Sequence, residues 1–422
     1  MIAEGRDAGG PAAAGVPGRR VRVLCLAEAV TLAHVARPLS LAAQLDAGRY
    51  QVAVACDERY AAFVHAQGCE HQPLRSIPSA QFTQALLQGD PVYDHATLQA
   101  YVQADRALIQ AWRPDLVVGD FRLSLSVSAR LEGVPYVAIS NAYWSPRYRT
   151  RLPTPVLPMT RRLPLPVAEL FFRIGQPAAF AWHARAMNRL RAQHGMPGFG
   201  GDLRRVYTDA DHLMLADVES LYPVPPAPGQ RFVGPLTWSP RMAPPAWWAD
   251  TLSQARPVVY VTLGSSGPGA LLPDVVQALS SLDVQVLVST AGAPLPAPLP
   301  ANVRAEPYLP GDAATARASL LVCNGGSLTV QQAMMCGVPV LGLTTYMDQM
   351  LNMAPIEAAG AGLSLRTDRV SVQSIRQAAQ ALLNTASHRE AAARLQQQMH
   401  QHGPVAGHFD QITRQLLGPA AP

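Results

Sequence analysis

The chain has 422 residues, of which 49% are hydrophobic and 15% charged, and its formal net charge is +5. This composition is typical of a well-buried globular protein of two or three domains and excludes a disordered chain. All 34 basic residues are arginine, which excludes mechanisms that need a lysine, such as a Walker-type phosphate site or a Schiff base.

The basic residues do not indicate a nucleic-acid partner, because they are spread among apolar stretches and form no basic run interleaved with aromatic residues. The positive net charge is compatible with mild attraction of the protein to an anionic ligand or, if it is a peripheral membrane protein, to a membrane surface. The five cysteines are odd in number and form no Cys-x-x-Cys motif, which favours reduced thiols in a cytoplasmic protein. No apolar stretch is long enough to span a bilayer, because 169–182 is broken by Arg173 and Pro177.

In chain order, residues 1–20 are rich in Ala, Gly and Pro and predict a disordered tail rather than a signal peptide. Strands are predicted at 21–26, 51–56, 116–119, 136–140, 212–215 and 231–233, with helices at 38–45 and 125–131. Residues 145–166, crowded with Pro and Arg, predict an excursion from the sheet, and 169–193 predict a helical region interrupted at Pro177.

The repeated prolines of 235–257 are typical of a linker, and a second series of strands follows it. Those strands are predicted at 258–263, 284–289, 303–306, 320–323 and 338–343. Strands that alternate with helices predict parallel sheets, so the expected fold class is α/β with two Rossmann-like domains. A terminal helix is predicted at 409–417.

Residues 320–353 carry the most specific pattern of the chain, a strand that enters a helix through the turn 324–327. The glycines of this turn permit a positive φ, and the first N–H groups of the helix at 328–336 have no helical acceptor. These groups, the positive end of the helix dipole and the hydroxyls of Ser327 and Thr329 fit a diphosphate. Gly337 and Pro339 are expected to end the helix, and Asp348-Gln349 to lie on the loop after the next strand, open to the same crevice.

This segment resembles the donor-binding motif of family 1 glycosyltransferases, enzymes of the GT-B fold that use nucleoside-diphosphate sugars. The matching residues are Gly325-Gly326, Thr329, Gly337-Val338-Pro339, Asp348-Gln349 and Asn352. Two positions depart from the family: Asn324 stands where a histidine is usual, and Gln332 stands where plant members have the acid that contacts the ribose. A glycine turn before a helix is also common in other α/β proteins, which is the alternative interpretation.

The resemblance implies two Rossmann-like domains with parallel sheets facing across a cleft. The acceptor-binding domain would span 21–235, the linker 236–257 and the nucleotide-sugar domain 258–401, and a helix within 402–422 would cross back to the first domain. In the donor site, Gly326 and Thr329 would hold the diphosphate, and Asp348 and Gln349 the sugar hydroxyls.

Further donor contacts follow from the same resemblance. Gly264-Ser265 occupies the position of a Gly-Ser pair near the diphosphate, although a plain turn after a strand would look the same. Tyr308-Leu309 stands where plant members place a tryptophan that stacks on the base, and Tyr308 is equally compatible with core packing.

The first domain would supply the catalytic base. His34 lies just past the first strand, where the family has its catalytic histidine, and Asp120 directly follows the strand at 116–119 and could orient the ring. Ala33 replaces the family's glycine and Pro38 comes one residue late, so the loop is expected to differ in shape. The alternative is that His34 closes a loop and Asp120 caps a helix.

These features lead to the hypothesis of an inverting glycosyltransferase of the bacterial natural-product type, with a UDP- or dTDP-sugar as co-substrate. No cofactor or metal is expected, because Asp209-Ala210-Asp211 precedes a strand and would face away from the cleft. The aromatic residues of 143–180 favour a small apolar acceptor. An inactive partner protein and a nucleotide-sugar isomerase of the same fold are the alternatives, and a monomer or homodimer is expected.

Overall fold

The computed structural model describes residues 19–253, 255–264 and 267–418. The predicted tail therefore lies outside the described residues except for 19 and 20, and so does Ser265. The strands of the described part are β1 Val21–Ala27, β2 Tyr50–Cys56, β3 Glu70–Pro73, β4 Leu116–Asp120, β5 Tyr136–Ser140, β6 His212–Leu215, β7 Gln230–Phe232, β8 Val258–Thr262, β9 Gln285–Ser289, β10 Val303–Glu306, β11 Leu320–Cys323, β12 Val340–Thr344 and β13 Gly362–Arg366.

Helices connect most of these strands and cover both sheets. They are α1 Leu32–Ala42, α2 Ala61–Ala66, α3 Ser79–Gln88, α4 His95–Trp112, α5 Leu125–Leu131, α6 Pro158–Arg162, α7 Leu165–Gln193, α8 Leu203–Thr208, α9 Trp248–Leu252, α10 Leu272–Ser280, α11 Gly311–Arg317, α12 Ser327–Met335, α13 Met347–Ala358, α14 Val372–Asn384, α15 Ala386–His400 and α16 Val405–Leu417. Within the described ranges, no helix combines the length and the apolar character that crossing a bilayer requires.

The strands form two separate parallel sheets. One has seven strands in the order β3-β2-β1-β4-β5-β6-β7, and the other has six in the order β10-β9-β8-β11-β12-β13. In each sheet the order reverses next to the first strand of the series, which leaves a crevice at the carboxyl ends of the central strands. The expectation of an α/β fold with two Rossmann-like, GT-B-type domains is thus confirmed.

The helix α16 packs against the first sheet although the chain reaches it from the second. Val405, Phe409 and Ile412 are buried in the core of the first domain. Asp410 accepts hydrogen bonds from the side chains of Arg49 and Tyr50, at 2.7 and 2.6 Å. The end of the chain therefore ties the second domain back onto the first.

Three predicted elements were wrong. The first helix begins at Leu32 and not at residue 38, so Pro38 lies inside it. The proline at 177 does not interrupt α7, which runs on for 29 residues. Asp348-Gln349 lie in the first turn of α13 and not on a loop, because the Gln349 side chain accepts the N–H groups of Thr345 and Tyr346 just before the helix.

Candidate active site in the interdomain cleft

His34 and Asp120 come together at the carboxyl ends of two neighbouring strands. Asp120 ends β4, which pairs with β1, and His34 lies in the first turn of the helix that follows β1. The His34 Nδ1 atom is 2.8 Å from Asp120 Oδ1. A carboxylate can only accept at this distance, so Nδ1 carries the ring proton and Nε2 is the basic nitrogen. The pair has the geometry of a base and its orienting acid.

Arg37 is a third member of this group that the sequence interpretation missed. Its guanidinium donates to Asp120 through Nε at 2.7 Å and through a terminal nitrogen at 2.6 Å, and the other terminal nitrogen donates to Asn141 Oδ1 at 2.7 Å. Burial acts to lower the pKa of Arg37, but the adjacent Asp120 carboxylate outweighs it and the net pKa is raised. The Asp120 carboxylate, completely buried, is therefore paired with a permanent cation.

The ring of Phe121 stacks on the imidazole of His34. Its ring lies nearly parallel to that of His34, with centroids 4.8 Å apart and an interplanar angle of 10°. The backbone of Phe121 has a φ of 55°, in the left-handed region that residues with a side chain rarely adopt. Such a conformation costs about 1 kcal/mol or more and persists only where the surroundings enforce it. At Phe121 this conformation places the ring against the imidazole of His34.

A buried ion network lies directly behind this strand end. Arg122 donates to Glu28 at 2.8 Å and to Asp105 at 3.0 Å, and all three side chains are fully buried. Its guanidinium also lies 3.6 Å above the Tyr101 ring. Because Glu28 follows β1 and Arg122 follows Asp120, the network fixes the two strand ends that carry the His34–Asp120 pair.

Asn141 and Asp217 connect this group to the second domain. Asn141 Nδ2 donates to Ser327 Oγ, at the start of α12, at 2.8 Å. Asp217 accepts from Asn141 and from Gln331 of α12, the latter at 2.9 Å. Burial raises the pKa of Asp217 to about 7, against the lowering effect of these N–H donors and of Arg37. The helix that begins at the glycine turn is thus anchored to the first domain.

The turn at 324–326 has the conformation that its glycines permit. Gly325 has a φ of +80°, and a Cβ there would lie 2.9 Å from the Thr344 side chain. Asn352 holds the turn through a 2.9 Å hydrogen bond from its Nδ2 to the Gly325 carbonyl. Asn324 Oδ1 accepts the N–H of Gly326 at 3.1 Å, which leaves the amide nitrogen of Asn324 as its remaining donor.

The other residues predicted to contact the donor are placed around this turn. One cavity is lined by His34 together with Asn324, Gly326, Ser327, Thr329 and Gln332. Gly325, in the middle of the turn, is buried. Because α12 starts at Ser327, the N–H groups of 327–329 have no helical acceptor. They lie at the wall of the cavity, where an anion would meet the positive end of the helix.

Asp348 and Gln349 reach the same cavity from α13. Burial raises the pKa of the Asp348 carboxyl, whereas the Gln349 N–H and the charges of His34 and Arg37 act to lower this pKa. The Gln349 oxygen is already engaged by the N–H groups of Thr345 and Tyr346, at 2.8 and 3.1 Å. Only the amide nitrogen of Gln349 is therefore left for a ligand.

Gly264, Tyr308 and Leu309 also line the cavity. Tyr308 is 48% exposed, so its alternative interpretation as a core residue is wrong, whereas Leu309 is buried in the core of the second domain. Gly264, at the end of β8, has a φ of +70° and approaches Asn324. Ser265 lies outside the described residues, and its predicted contact stays a prediction.

The cavity has a volume of about 620 Å³ and extends from the glycine turn at 324–326 into an aromatic region of the first domain. Its apolar part is lined by side chains that include Phe82, Phe121, Trp144, Phe171, Phe172, Phe180 and Tyr207. The polar side chains described above, from both domains, line the other part of the cavity. The arrangement fits an anionic ligand at one end and an apolar ligand at the other, and His34 lines the same cavity.

The Asp-x-Asp pattern at 209–211 has a structural role. Asp209 forms ion pairs with Arg130 and Arg191, at 2.5 and 3.0 Å, and Asp211 accepts the N–H of Tyr136 at 2.9 Å. Both carboxylates lie at the amino end of β6, the edge of the sheet opposite the cleft.

Comparison with known proteins identifies the family. Residues 273–406 match the model of the erythromycin biosynthesis protein CIII-like C-terminal domain. A PGL/p-HBAD biosynthesis glycosyltransferase of Mycobacterium tuberculosis is 46% identical over 396 residues, 93% of this chain and 92% of the relative. A PGL/p-HBAD biosynthesis rhamnosyltransferase of Mycobacterium bovis is 46% identical over 385 residues, 91% of this chain and 85% of the relative.

An inactive PGL/p-HBAD biosynthesis glycosyltransferase of Mycobacterium bovis is also similar, 45% identical over 280 residues, 65% of this chain and 76% of that protein. Among solved structures, the spinosyn rhamnosyltransferase SpnG has a TM-score of 0.67 at 20% identity, over 95% of this chain and 100% of its own. The glycosyltransferase VinC in complex with dTDP has a TM-score of 0.61 at 18% identity, over 93% of this chain and 99% of its own. The chain therefore has the GT-B fold and belongs to the family of the mycobacterial PGL/p-HBAD biosynthesis glycosyltransferases.

Proposed function

We propose that this glycosyltransferase moves a sugar from a nucleoside diphosphate, UDP or dTDP, to a hydroxyl of a small apolar acceptor with inversion of the anomeric centre. The observation that carries this proposal is the 2.8 Å contact between His34 Nδ1 and Asp120 Oδ1 in the wall of the cavity that also contains the donor turn. A base held in one tautomer beside a diphosphate site is what a single displacement needs.

In this mechanism Nε2 of His34 takes the proton of the acceptor hydroxyl as its oxygen attacks the anomeric carbon. The bond from that carbon to the diphosphate oxygen breaks, and the diphosphate leaves with the bonding electrons. Asp120 stabilises the imidazolium that forms, while Arg37 keeps the carboxylate in place. General base catalysis of this kind typically contributes about 10²- to 10⁴-fold to the rate.

The leaving diphosphate would be stabilised without a metal or a further cofactor. The N–H groups of 327–329, the amide of Asn324 and the hydroxyl of Thr329 are the donors available at the start of α12. Arg37 is the one arginine among the described residues that line the cavity, and it is committed to Asp120 and Asn141. Asp348 and Gln349 would bind the sugar hydroxyls.

The nature of the two substrates is inferred from the cavity and from the relatives. The aromatic lining of the first-domain region favours an apolar acceptor. The dTDP complex of VinC supports dTDP as one of the two nucleotides to be tested, and the rhamnosyltransferase among the relatives makes rhamnose a candidate sugar.

The test is a two-step assay on the wild-type chain. A thermal-shift series with UDP-, dTDP- and GDP-sugars identifies the donor, because a ligand that binds the folded state raises the melting temperature. Release of nucleoside diphosphate is then measured with and without phenolic or other apolar hydroxyl acceptors. Release that depends on the acceptor, with a glycosylated product of inverted configuration by NMR, is the expected result. A retained configuration would contradict the single displacement.

A second candidate is a protein of this fold that binds the donor but does not turn it over. It is favoured by the departures at Asn324 and Gln332 and by the similarity to an inactive relative. It predicts a thermal shift with a nucleotide-sugar and no nucleoside diphosphate release with any acceptor. A third alternative, an isomerase, predicts a changed sugar without an acceptor.

A further inference from the structure

The helix α7 exposes an apolar stripe on its outer face. Of the large hydrophobic residues exposed in the described part of the chain, five belong to this helix: Val167, Leu170, Phe171, Ile174 and Trp182. The first four have the spacing i, i+3, i+4, i+7, which places them on one side of the helix, and Trp182 extends the same side. Ile174 is 69% exposed and Phe171 56%.

The opposite face of the same helix is already packed. Ala168, Phe180, Ala184, Met187 and Leu190 are buried against the first domain. The outer stripe is therefore not needed for the fold, since the helix has its own core contacts. Residues 167 to 182 span about 22 Å at 1.5 Å per residue. The exposed apolar side chains therefore form one long stripe and are not scattered singly over the surface.

Arginines surround this stripe. Arg161 and Arg162 lie at the end of α6, just before it, and Arg173, Arg185 and Arg189 project from α7 itself, all five exposed. No ion pair of these five arginines occurs within the described ranges, and Glu169 is the one acidic residue of α7. The surface thus combines a long apolar stripe with an excess of positive charge.

The stripe is continuous with the mouth of the cavity. Phe171 belongs to the stripe and also lines the cavity, as do Phe172, Gly175, Gln176 and Ala179 of the next turn. Phe171 therefore connects the exposed stripe of α7 with the aromatic end of the cavity.

We propose that this face of α7 docks on a lipid surface that carries anionic phospholipids. Leucine, isoleucine, phenylalanine and tryptophan on one side of a helix flanked by arginines are suited to the boundary between headgroups and acyl chains. The helix lies in the plane of that boundary and does not cross it. A second copy of the chain is a poorer occupant, because a two-fold contact would bring the same arginines together on both subunits. The further step, entry of an apolar acceptor from the lipid into the cavity, rests on the proposed function.

Vesicle flotation of the full chain tests this docking without any sugar donor. Vesicles of phosphatidylcholine alone are compared with vesicles that contain phosphatidylglycerol, and binding to the second kind, reversed by high salt, is expected. Leu170→Gln/Ile174→Gln is expected to lower the partition coefficient by about tenfold, because two side chains lose apolar burial. Arg161→Gln/Arg162→Gln is expected to lower it by about 30-fold, because each cation near an anionic surface contributes about fivefold.

Matched controls lie on other surfaces of the molecule. Met242→Gln removes an exposed apolar side chain and Arg389→Gln/Arg394→Gln removes two exposed charges outside α6 and α7. Circular dichroism verifies that every variant is folded, and these controls are expected to bind vesicles like the wild type. Absence of binding to anionic vesicles, or equal loss in the controls, would overturn the proposal.

Light scattering at the same protein concentrations tests whether a second copy of the chain, and not a lipid surface, covers the stripe. A dimer that Leu170→Gln/Ile174→Gln dissociates, with no vesicle binding by the wild type, would assign the stripe to a second copy and overturn the lipid surface. The catalytically impaired His34→Ala variant should bind vesicles like the wild type, so failure of the proposed chemistry and failure of the docking are separate results.

Discussion

The guanidinium of Arg37 donates to both carboxylate oxygens of Asp120, from Nε to Oδ2 at 2.7 Å and from a terminal nitrogen to Oδ1 at 2.6 Å. The same Oδ1 atom lies 2.8 Å from His34 Nδ1. Asp120 therefore holds the imidazole while it is itself held by a permanent cation. Since the carboxylate is fully buried, loss of Arg37 would leave a charge that only His34 can compensate.

Arg37→Ala is expected to destabilise the protein by about 3 to 5 kcal/mol, the usual cost of breaking a buried ion pair. Denaturant unfolding measures this loss. Arg37→Lys should recover part of it, because an ammonium keeps the charge but cannot bind both oxygens in the same way. Arg106→Ala, which breaks an ion pair with Glu132 nearer the surface, is the control and should cost no more than about 1 kcal/mol. Equal losses at the two arginines would contradict the special position of Arg37.

Asn324→His tests how the diphosphate is held. A protonated imidazole would add a positive charge next to the helix start, so kcat/KM for the donor is expected to rise about 3- to 10-fold at pH 6. At pH 8.5 the neutral ring supplies no charge and the hydrogen bond from Gly326 to Asn324 is lost, so no gain is expected. Asn324→Ala, the control, should lower kcat/KM at both pH values. A variant with no pH-dependent gain would indicate that residue 324 does not contact the diphosphate.

Tyr308→Ala tests the proposed stacking on the base. Removal of the ring is expected to weaken donor binding by about 1 to 3 kcal/mol, measured by titration calorimetry with the free nucleoside diphosphate. Tyr308→Phe keeps the ring and should bind like the wild type. Because Tyr308 is 48% exposed, neither change should shift the melting temperature by more than a degree or two. Unchanged affinity of the alanine variant would remove Tyr308 from the site.

Asp217 gives the stability of the protein a defined pH dependence. Burial raises the pKa of its carboxyl from an ordinary value near 3.8 to about 7, so between these values the folded chain holds a proton that the unfolded chain has lost. The contribution of this group to stability therefore falls as the pH rises from about 4 to 7 and is constant above that range. Asp217→Asn does not titrate. Its melting temperature relative to the wild type should rise between pH 5 and 7.5, and a constant difference would contradict the raised pKa.

The sequence predicted the central strands of both sheets because these are short runs of Val, Leu and Ile that are buried on both faces. It did not predict β3 and β13, which lie at sheet edges and contain polar residues. The start of α1 was missed because Pro38, interpreted as a helix beginning, lies in the interior. No local signal distinguishes the two placements when the proline follows six residues that can also be helical.

The predicted site residues were found from a contiguous motif and from two strand ends. The glycine turn, His34 and Asp120 could be identified because their local sequence positions them at the carboxyl ends of strands. Arg37, Asn141 and Asp217 could not, because no local motif marks them and their contacts form only in the folded chain: Arg37 is 83 residues from Asp120, and Asn141 is 186 residues from Ser327. An arginine three residues after a candidate catalytic histidine, on the same side of a helix, is the one signal in the sequence that indicates Arg37.

Turnover of His34→Ala tests most directly whether His34 is the general base of glycosyl transfer. The variant is compared with the wild type and with His388→Ala, whose histidine hydrogen-bonds Gly360 in the second domain outside the cavity. His34→Ala is expected to lower kcat by about 10²- to 10⁴-fold while its thermal shift with the donor is unchanged, and His388→Ala is expected to retain kcat. A His34→Ala variant that forms product at the wild-type rate would show that His34 is not the general base.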